Sequence, residues 1–192
     1  MNNSIKEYIK ESIETKQKIL TDEKLVSKID DVATKIIDAY RVNQKVLVAG
    51  NGGSAADAQH IVAELVSKFS MDRPALNALA LTTNTSILTA VGNDYNHDYI
   101  FSRQVEAYGN AGDIFVAIST SGNSKNIIKA IETAKNKNLC IIGLTGATPC
   151  QMDTLCDHIL KVPSTKTPII QESHIMLGHI VCAIVEKELF KN

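Results

Sequence analysis

Apolar residues in this chain recur in two rhythms that alternate along its length. Ile5, Tyr8, Ile9, Ile13 and Ile19 fall at helical spacing, and so do Leu25, Ile29, Val32, Ile36 and Tyr40. The spacing predicts two amphipathic helices within residues 1–43, parted near Thr21 and Asp22. Apolar runs of strand length follow at 46–49, 76–81, 114–119, 139–144 and 159–162. Helical patterns begin between them near Ser54, Thr85, Asn123 and Pro149, and a last one runs from about Pro168 to Phe190. Strands that are apolar throughout and alternate with helices imply a parallel sheet covered on both faces. The expected fold is α/β, a three-layer α-β-α sandwich around a five-stranded parallel sheet. Ligands of such sheets bind beyond the carboxyl ends of the strands, where the direction of connection reverses. No repeat or linker interrupts the pattern, so residues 1–192 are expected to form one domain, with 1–43 a helical extension available for oligomer contacts.

Composition narrows the function classes. Lysine and arginine number 20 against 21 aspartate and glutamate, leaving a formal charge of -1. That balance argues against a nucleic-acid surface or a basic membrane face. No apolar run approaches the roughly 18 residues of a spanning helix, and the start, Met1-Asn2-Asn3-Ser4, lacks the apolar core of a signal peptide. The expectation is a cytoplasmic protein with neither nucleic acid nor membrane as partner. The four cysteines, Cys140, Cys150, Cys156 and Cys182, show no metal or redox spacing and read as reduced thiols, Cys140 and Cys182 as buried ones.

Two strand-turn-helix units carry the candidate chemistry. In the first, an apolar strand runs into Gly50-Asn51-Gly52-Gly53-Ser54 and then a helix with His60 and Glu64 on one face. The turn leaves backbone N–H groups free at a helix N-terminus, where Asn51, Gly52 and Gly53 would approach a polyhydroxylated ligand and Ser54 would begin the helix. In the second, the strand at 114–119 enters a loop with four hydroxyls, Ser119, Thr120, Ser121 and Ser124. Hydroxyls and free N–H groups at a helix N-terminus make a phosphate site suited to a monoester. Read singly, these features also fit ordinary structure. A His/Glu pair at this spacing is often a surface hydrogen bond, His179 among Ile175, Leu177, Ile180 and Val181 fits an interior histidine, and Asn123 or Ser124 fits a simple N-cap. Gly92 in Val91-Gly92-Asn93-Asp94 reads as a helix C-cap.

Taken together, the segments 50–60, 91–94, 101–106, 119–124 and Gln171-Glu172-Ser173-His174 resemble the sugar isomerase (SIS) domain family, in particular its sedoheptulose-7-phosphate (phosphoheptose) isomerases. The likeness spans nearly the whole chain and implies the flavodoxin-like SIS fold. It further implies a cytosolic homotetramer with active sites between subunits. The implied reaction converts D-sedoheptulose 7-phosphate to D-glycero-D-manno-heptose 7-phosphate through an enediol, the first step toward ADP- or GDP-heptose for surface polysaccharide. By the same resemblance Glu64 is the base and His179 its acid/base partner; His60, Glu64, Gln171 and His179 hold one zinc ion. Asn93 and Asp94, with Gln171 and Glu64, meet the substrate. Such a reaction needs proton removal beside a carbonyl and no redox cofactor. Arg103 and Glu106 are expected to pair structurally, and His174, about 140° around its helix from His179, to be structural.

Other readings remain on the table from sequence. Gly50-x-Gly52-x-x-Ala55 formally fits a dinucleotide fingerprint, but 80–84 offers no acidic residue for a ribose. A non-catalytic SIS module, either a phosphosugar sensor or a replication-initiator-associating regulator, uses the same loop. The retained Glu64 and His179 favour catalysis. Two departures from the family pattern stand out: Ile169-Ile170 where relatives carry an arginine before the Gln-Glu pair, and the loop at 145–150.

Overall fold

The computed structural model describes residues 2–191. Two long helices come first, α1 (Asn2–Thr21) and α2 (Glu23–Arg41). Asp22 parts them as expected, its carboxylate accepting from the N–H groups of Lys24 and Leu25 at 3.1 Å each. Such a cap contributes about 1 kcal/mol. The remainder alternates: β1 (Val46–Gly50), α3 (Gly53–Val66), β2 (Ala78–Ala80), α4 (Thr85–Asp94), a 3-10 turn (His97–Tyr99), α5 (Ser102–Tyr108), β3 (Ile114–Ile118), α6 (Lys125–Asn136), β4 (Cys140–Thr145), α7 (Met152–Leu155), β5 (His158–Lys161) and α8 (Thr167–Phe190).

All five strands pair in parallel, in the order β2-β1-β3-β4-β5. This is the three-layer sandwich the apolar pattern implied. The alternation of side chains along each strand splits the core in two. Val46, Val48, Val116 and Ile142 pack under α2, α3 and α8, while Leu47, Phe115, Ala117 and Ile141 pack under α5 and α6. At the amino ends of the strands, buried Asp113 accepts from the Lys45 N–H at 3.0 Å and its ammonium at 2.5 Å, pinning β1 beside β3. The chain reverses its order between those two strands, so the opposite, carboxyl edge there is the expected ligand crevice.

Several expectations are corrected. The helix expected near residue 149 is a single turn, α7. The run at 76–81 yields only a three-residue strand. α5 was not anticipated; it is seven residues long and carries a buried Gln104 that donates to the carbonyls of Leu81 and Ile100. Gly92 caps nothing: α4 continues to Asp94, and the Tyr95 N–H closes the helix on the Val91 carbonyl. Cys140 is half-buried, whereas Cys182 is buried as expected. α8, by length and composition, is apolar enough to cross a bilayer, contrary to the reading of the bare sequence. Half of that stretch is buried, chiefly against α2 and α3, because it is the central helix of one layer.

α1 presents the less expected surface. Of its apolar set only Ile19 is buried, and Ile5, Ile9, Ile13 and Leu20 stand exposed.

Candidate functional site

Helices α3 and α8 meet within one chain, and no second subunit is needed to bring their side chains together. Contact is close where Gly178 passes Ile61: a Cβ on that glycine would lie 2.8 Å from the isoleucine's Cγ1 and Cδ1. The neighbours in sequence of this pair are His179 and His60. The two imidazole Nε2 atoms are 3.2 Å apart, with the rings edge to face, and His60 Nε2 is 3.1 Å from Glu64 Oε1. One ligand atom from each of His60, Glu64 and His179 lies within 4.8 Å of the others.

Two imidazole nitrogens and a carboxylate oxygen are the donor set of a borderline divalent ion such as zinc, and a three-residue set leaves coordination open for water or substrate. The residues present therefore fit the expected metal. Gln171 sits two turns earlier on α8, its side-chain amide lying directly over Gly53 of the glycine loop. The structure thus joins Gln171 to the loop, and His60, Glu64 and His179 to one another.

Both helix N-termini at the crevice are left open by their caps. Gly52 occupies the cap of α3 with φ 54°, a conformation that suits glycine, and offers no side chain; α3 starts at Gly53, one residue before Ser54, which is buried in its first turn. Ser124 occupies the cap of α6, yet its hydroxyl does not cap. It turns instead to the buried Ser119 hydroxyl at 3.0 Å, which also faces Ser121 Oγ at 3.4 Å. First-turn N–H groups therefore remain available to an anion, within a hydroxyl cluster that Thr120 and exposed Ser121 extend. The cluster is held from behind, where Gly146 N–H donates to the Thr120 carbonyl and Gln151 N–H to Asn123 Oδ1.

A residue passed over in the sequence links the two loops. Asn126, 3% exposed, exchanges reciprocal amide hydrogen bonds of 2.8 Å with Asn51, and its Nδ2 also approaches His97 Nδ1 at 3.4 Å. Its position two residues beyond Ser124 was the available signal. Asp57 was likewise missed; burial raises its carboxyl, nearby His60 lowers it less, and Oδ2 is buried without a hydrogen-bond partner.

Asn93 and Asp94 are exposed at the end of α4 and bond to each other at 2.9 Å. Arg103 and Glu106 form an exposed pair at 2.8 Å, the structural role expected of them. His174 is fully buried, its Nε2 3.2 Å from the Thr145 carbonyl, and burial lowers it to about 4. Burial, and then the Glu64 charge, push the Cys182 thiol up to about 12, which disfavours its thiolate. The two departures from the family pattern touch each other: Ile170 Cδ1 fills the space over Gly146.

Comparison with known proteins identifies the family. The SIS domain family profile matches residues 7–146. A phosphoheptose isomerase of Aneurinibacillus thermoaerophilus is 59% identical over 192 residues, covering 100% of this chain and 97% of that protein. Among solved structures, a phosphoheptose isomerase from Neisseria gonorrhoeae superposes with a TM-score of 0.91 at 41% identity, covering 97% of this chain and 98% of the other. One from Francisella tularensis does so with a TM-score of 0.93 at 37% identity, covering 96% and 97%. The chain belongs to the SIS domain family, among its phosphoheptose isomerases.

Proposed function

We propose that this protein interconverts D-sedoheptulose 7-phosphate and D-glycero-D-manno-heptose 7-phosphate, as the first step of heptose precursor synthesis for a surface polysaccharide. The observation that carries this reading is the meeting of Glu64 and His179 around His60, from elements more than a hundred residues apart. The phosphate is anchored by the hydroxyls and N–H groups of residues 119–124, and the sugar lies across Asn51, Gly52 and Gly53 toward the cluster, with Gln171 beside it.

The chemistry follows from these positions. Glu64 removes a proton from C1 of the ketose while the protonated His179 gives one to O2, leaving the 1,2-enediol. His179 serves the oxygens, taking the O1 proton as the C1 carbonyl forms, and Glu64 returns its proton to C2. Proton transfers of this kind contribute about 10²–10⁴-fold each. His60, Glu64 and His179, with Gln171 as the assigned fourth ligand, are the residues that would hold a zinc ion, which would supply Lewis-acid polarisation of the sugar oxygens.

The assembly we propose is a cytoplasmic homotetramer with substrate bound between subunits. The exposed apolar stripe of α1 supports it. The test is conversion of sedoheptulose 7-phosphate followed by NMR, in wild-type protein and in E64Q, with and without chelator. Turnover abolished in E64Q supports the isomerase. Binding without turnover in the wild type overturns it in favour of a phosphosugar-binding module.

A further inference from the structure

The segment joining α3 to β2 is held by an ion pair for which the chemistry above has no use. The side chains of Arg73 and Glu186 are 2% and 1% exposed, and the arginine Nε donates to Glu186 Oε2 at 3.0 Å. A charge pair this deep persists only when its remaining hydrogen-bonding capacity is filled. Glu186 accepts from the backbone N–H groups of Phe69, Ser70 and Met71 at 2.7 to 2.9 Å, and from the Ser70 hydroxyl at 2.8 Å. Burial alone would raise this carboxyl, but the donors outweigh it and hold it at about 2. Arg73 donates through Nη2 to the Glu64 carbonyl at 2.8 Å and through Nη1 to the Leu65 carbonyl at 2.7 Å.

Those two carbonyls belong to the last turn of α3, where a helix leaves its acceptors unpaired and its dipole favours a cation. The guanidinium therefore grips the main chain of Glu64 itself. Glu186 follows His179 by seven residues on α8, two turns on and so on the same face. The loop it clamps sets the Phe69 ring 5.8 Å from the His179 ring. One ion pair fastens the end of the helix bearing Glu64 to the helix bearing His179, with Phe69 wedged alongside.

We propose that Arg73 and Glu186 are positioning residues that set the separation of Glu64 and His179 for proton transfer, an inference that rests on the isomerase reading of that site. A misplacement near 1 Å costs roughly 100-fold in rate. The phosphate loop hangs from a different strand, so the phosphate anchor is spared and the loss falls mainly on the chemical step.

The test uses R73K and E186Q, each purified with wild-type helix content, assayed with sedoheptulose 7-phosphate and titrated with cobalt(II) as a spectroscopic probe of the His60, Glu64 and His179 cluster. The expected result is a kcat lower by about tenfold or more with KM changed less than about twofold. Cobalt affinity should fall about tenfold, as when a supporting contact of a metal ligand is lost. Wild-type kcat per folded subunit together with wild-type cobalt affinity in both variants overturns the proposal. Should neither charge variant fold, F69L, which leaves the ion pair whole, decides: a several-fold loss in kcat at constant KM supports the proposal, and unchanged kcat and cobalt affinity overturn it. If the wild type does not turn over the heptulose at all, it is the functional reading that has failed, and the cobalt titration still decides whether the pair positions the cluster.

Discussion

The Nε2 atoms of His60 and His179 face each other at 3.2 Å from positions 119 residues apart in the chain. Both ring nitrogens carry lone pairs or protons directed at the same point, and Glu64 Oε1, 3.1 Å from His60, is directed there too. Such a trio attracts a cation. We expect one zinc ion bound per subunit. Replacement H179Q should weaken it by at least the ~10- to 100-fold that loss of a supporting contact costs a metal site. Isothermal titration of metal-stripped protein checks this, and an unchanged affinity would sink it.

The reciprocal amide bonds between Asn51 and Asn126 are the direct tie between the glycine loop and the serine loop. Replacing Asn126 with leucine leaves the Asn51 amide without its partner and should destabilise the protein by ~1–3 kcal/mol. The glycine loop then loses its anchor, and KM for the sugar phosphate should rise with it. Denaturant unfolding and steady-state kinetics read the two effects separately.

Gly122 turns the serine loop with φ 64°, and a Cβ there would run into Cys150 Sγ. G122A should cost roughly 1–2 kcal/mol for the left-handed backbone alone, with the clash added. Affinity for the sugar phosphate is the sensitive readout. The double replacement G122A/C150G, which removes both Sγ and Cβ of residue 150, should relieve that clash and leave chiefly the backbone part; no recovery would show that Cys150 does not confine the loop.

His174 makes stability depend on pH. Its Nε2 faces the Thr145 carbonyl and its buried Nδ1 has no partner, so a second proton finds no acceptor and burial holds the group at about 4, below its ordinary 6.5. Between those values the unfolded chain binds the proton and the folded chain does not. The contribution is therefore whole above pH 6.5 and is lost as pH falls toward 4, by about 3 kcal/mol in all. H174Q should flatten the unfolding profile in that window. A profile as steep as that of the wild type would assign the slope to other groups.

How much of this was legible beforehand depended on how each feature is encoded. Strands such as Val46–Gly50 and Ile114–Ile118 are apolar on both faces, and their alternation with amphipathic helices left one class of fold. The two open helix N-termini were visible because glycine and serine cluster at the strand ends. The cluster of His60, Glu64 and His179 was assigned by resemblance, and from the residues alone it remained one reading among several. Contacts between isolated polar residues left no such trace. Arg73 and Glu186 are 113 positions apart and Asn51 and Asn126 are 75 apart, and neither pair repeats with any period. α5 escaped notice because seven residues hold too little apolar rhythm, its burial resting partly on Ser102 and Gln104. Gly92 misled because a glycine near a helix end signals a stop only when its backbone turns left-handed, and here it does not.

The sheet order has one consequence for how this molecule changes over time. Although β1 and β3 are neighbours, the anchor for a phosphate and the glycine loop that leads into the Glu64 helix grow from separate strands, tied at their tips by one pair of amides. Mutations in the wall above α3 and α8 that spare this pair and the contact of Ile170 with Gly146 touch none of the hydroxyls in the turn after β3. A lineage built on this plan can trade one sugar for another while keeping its grip on the group that all such metabolites share.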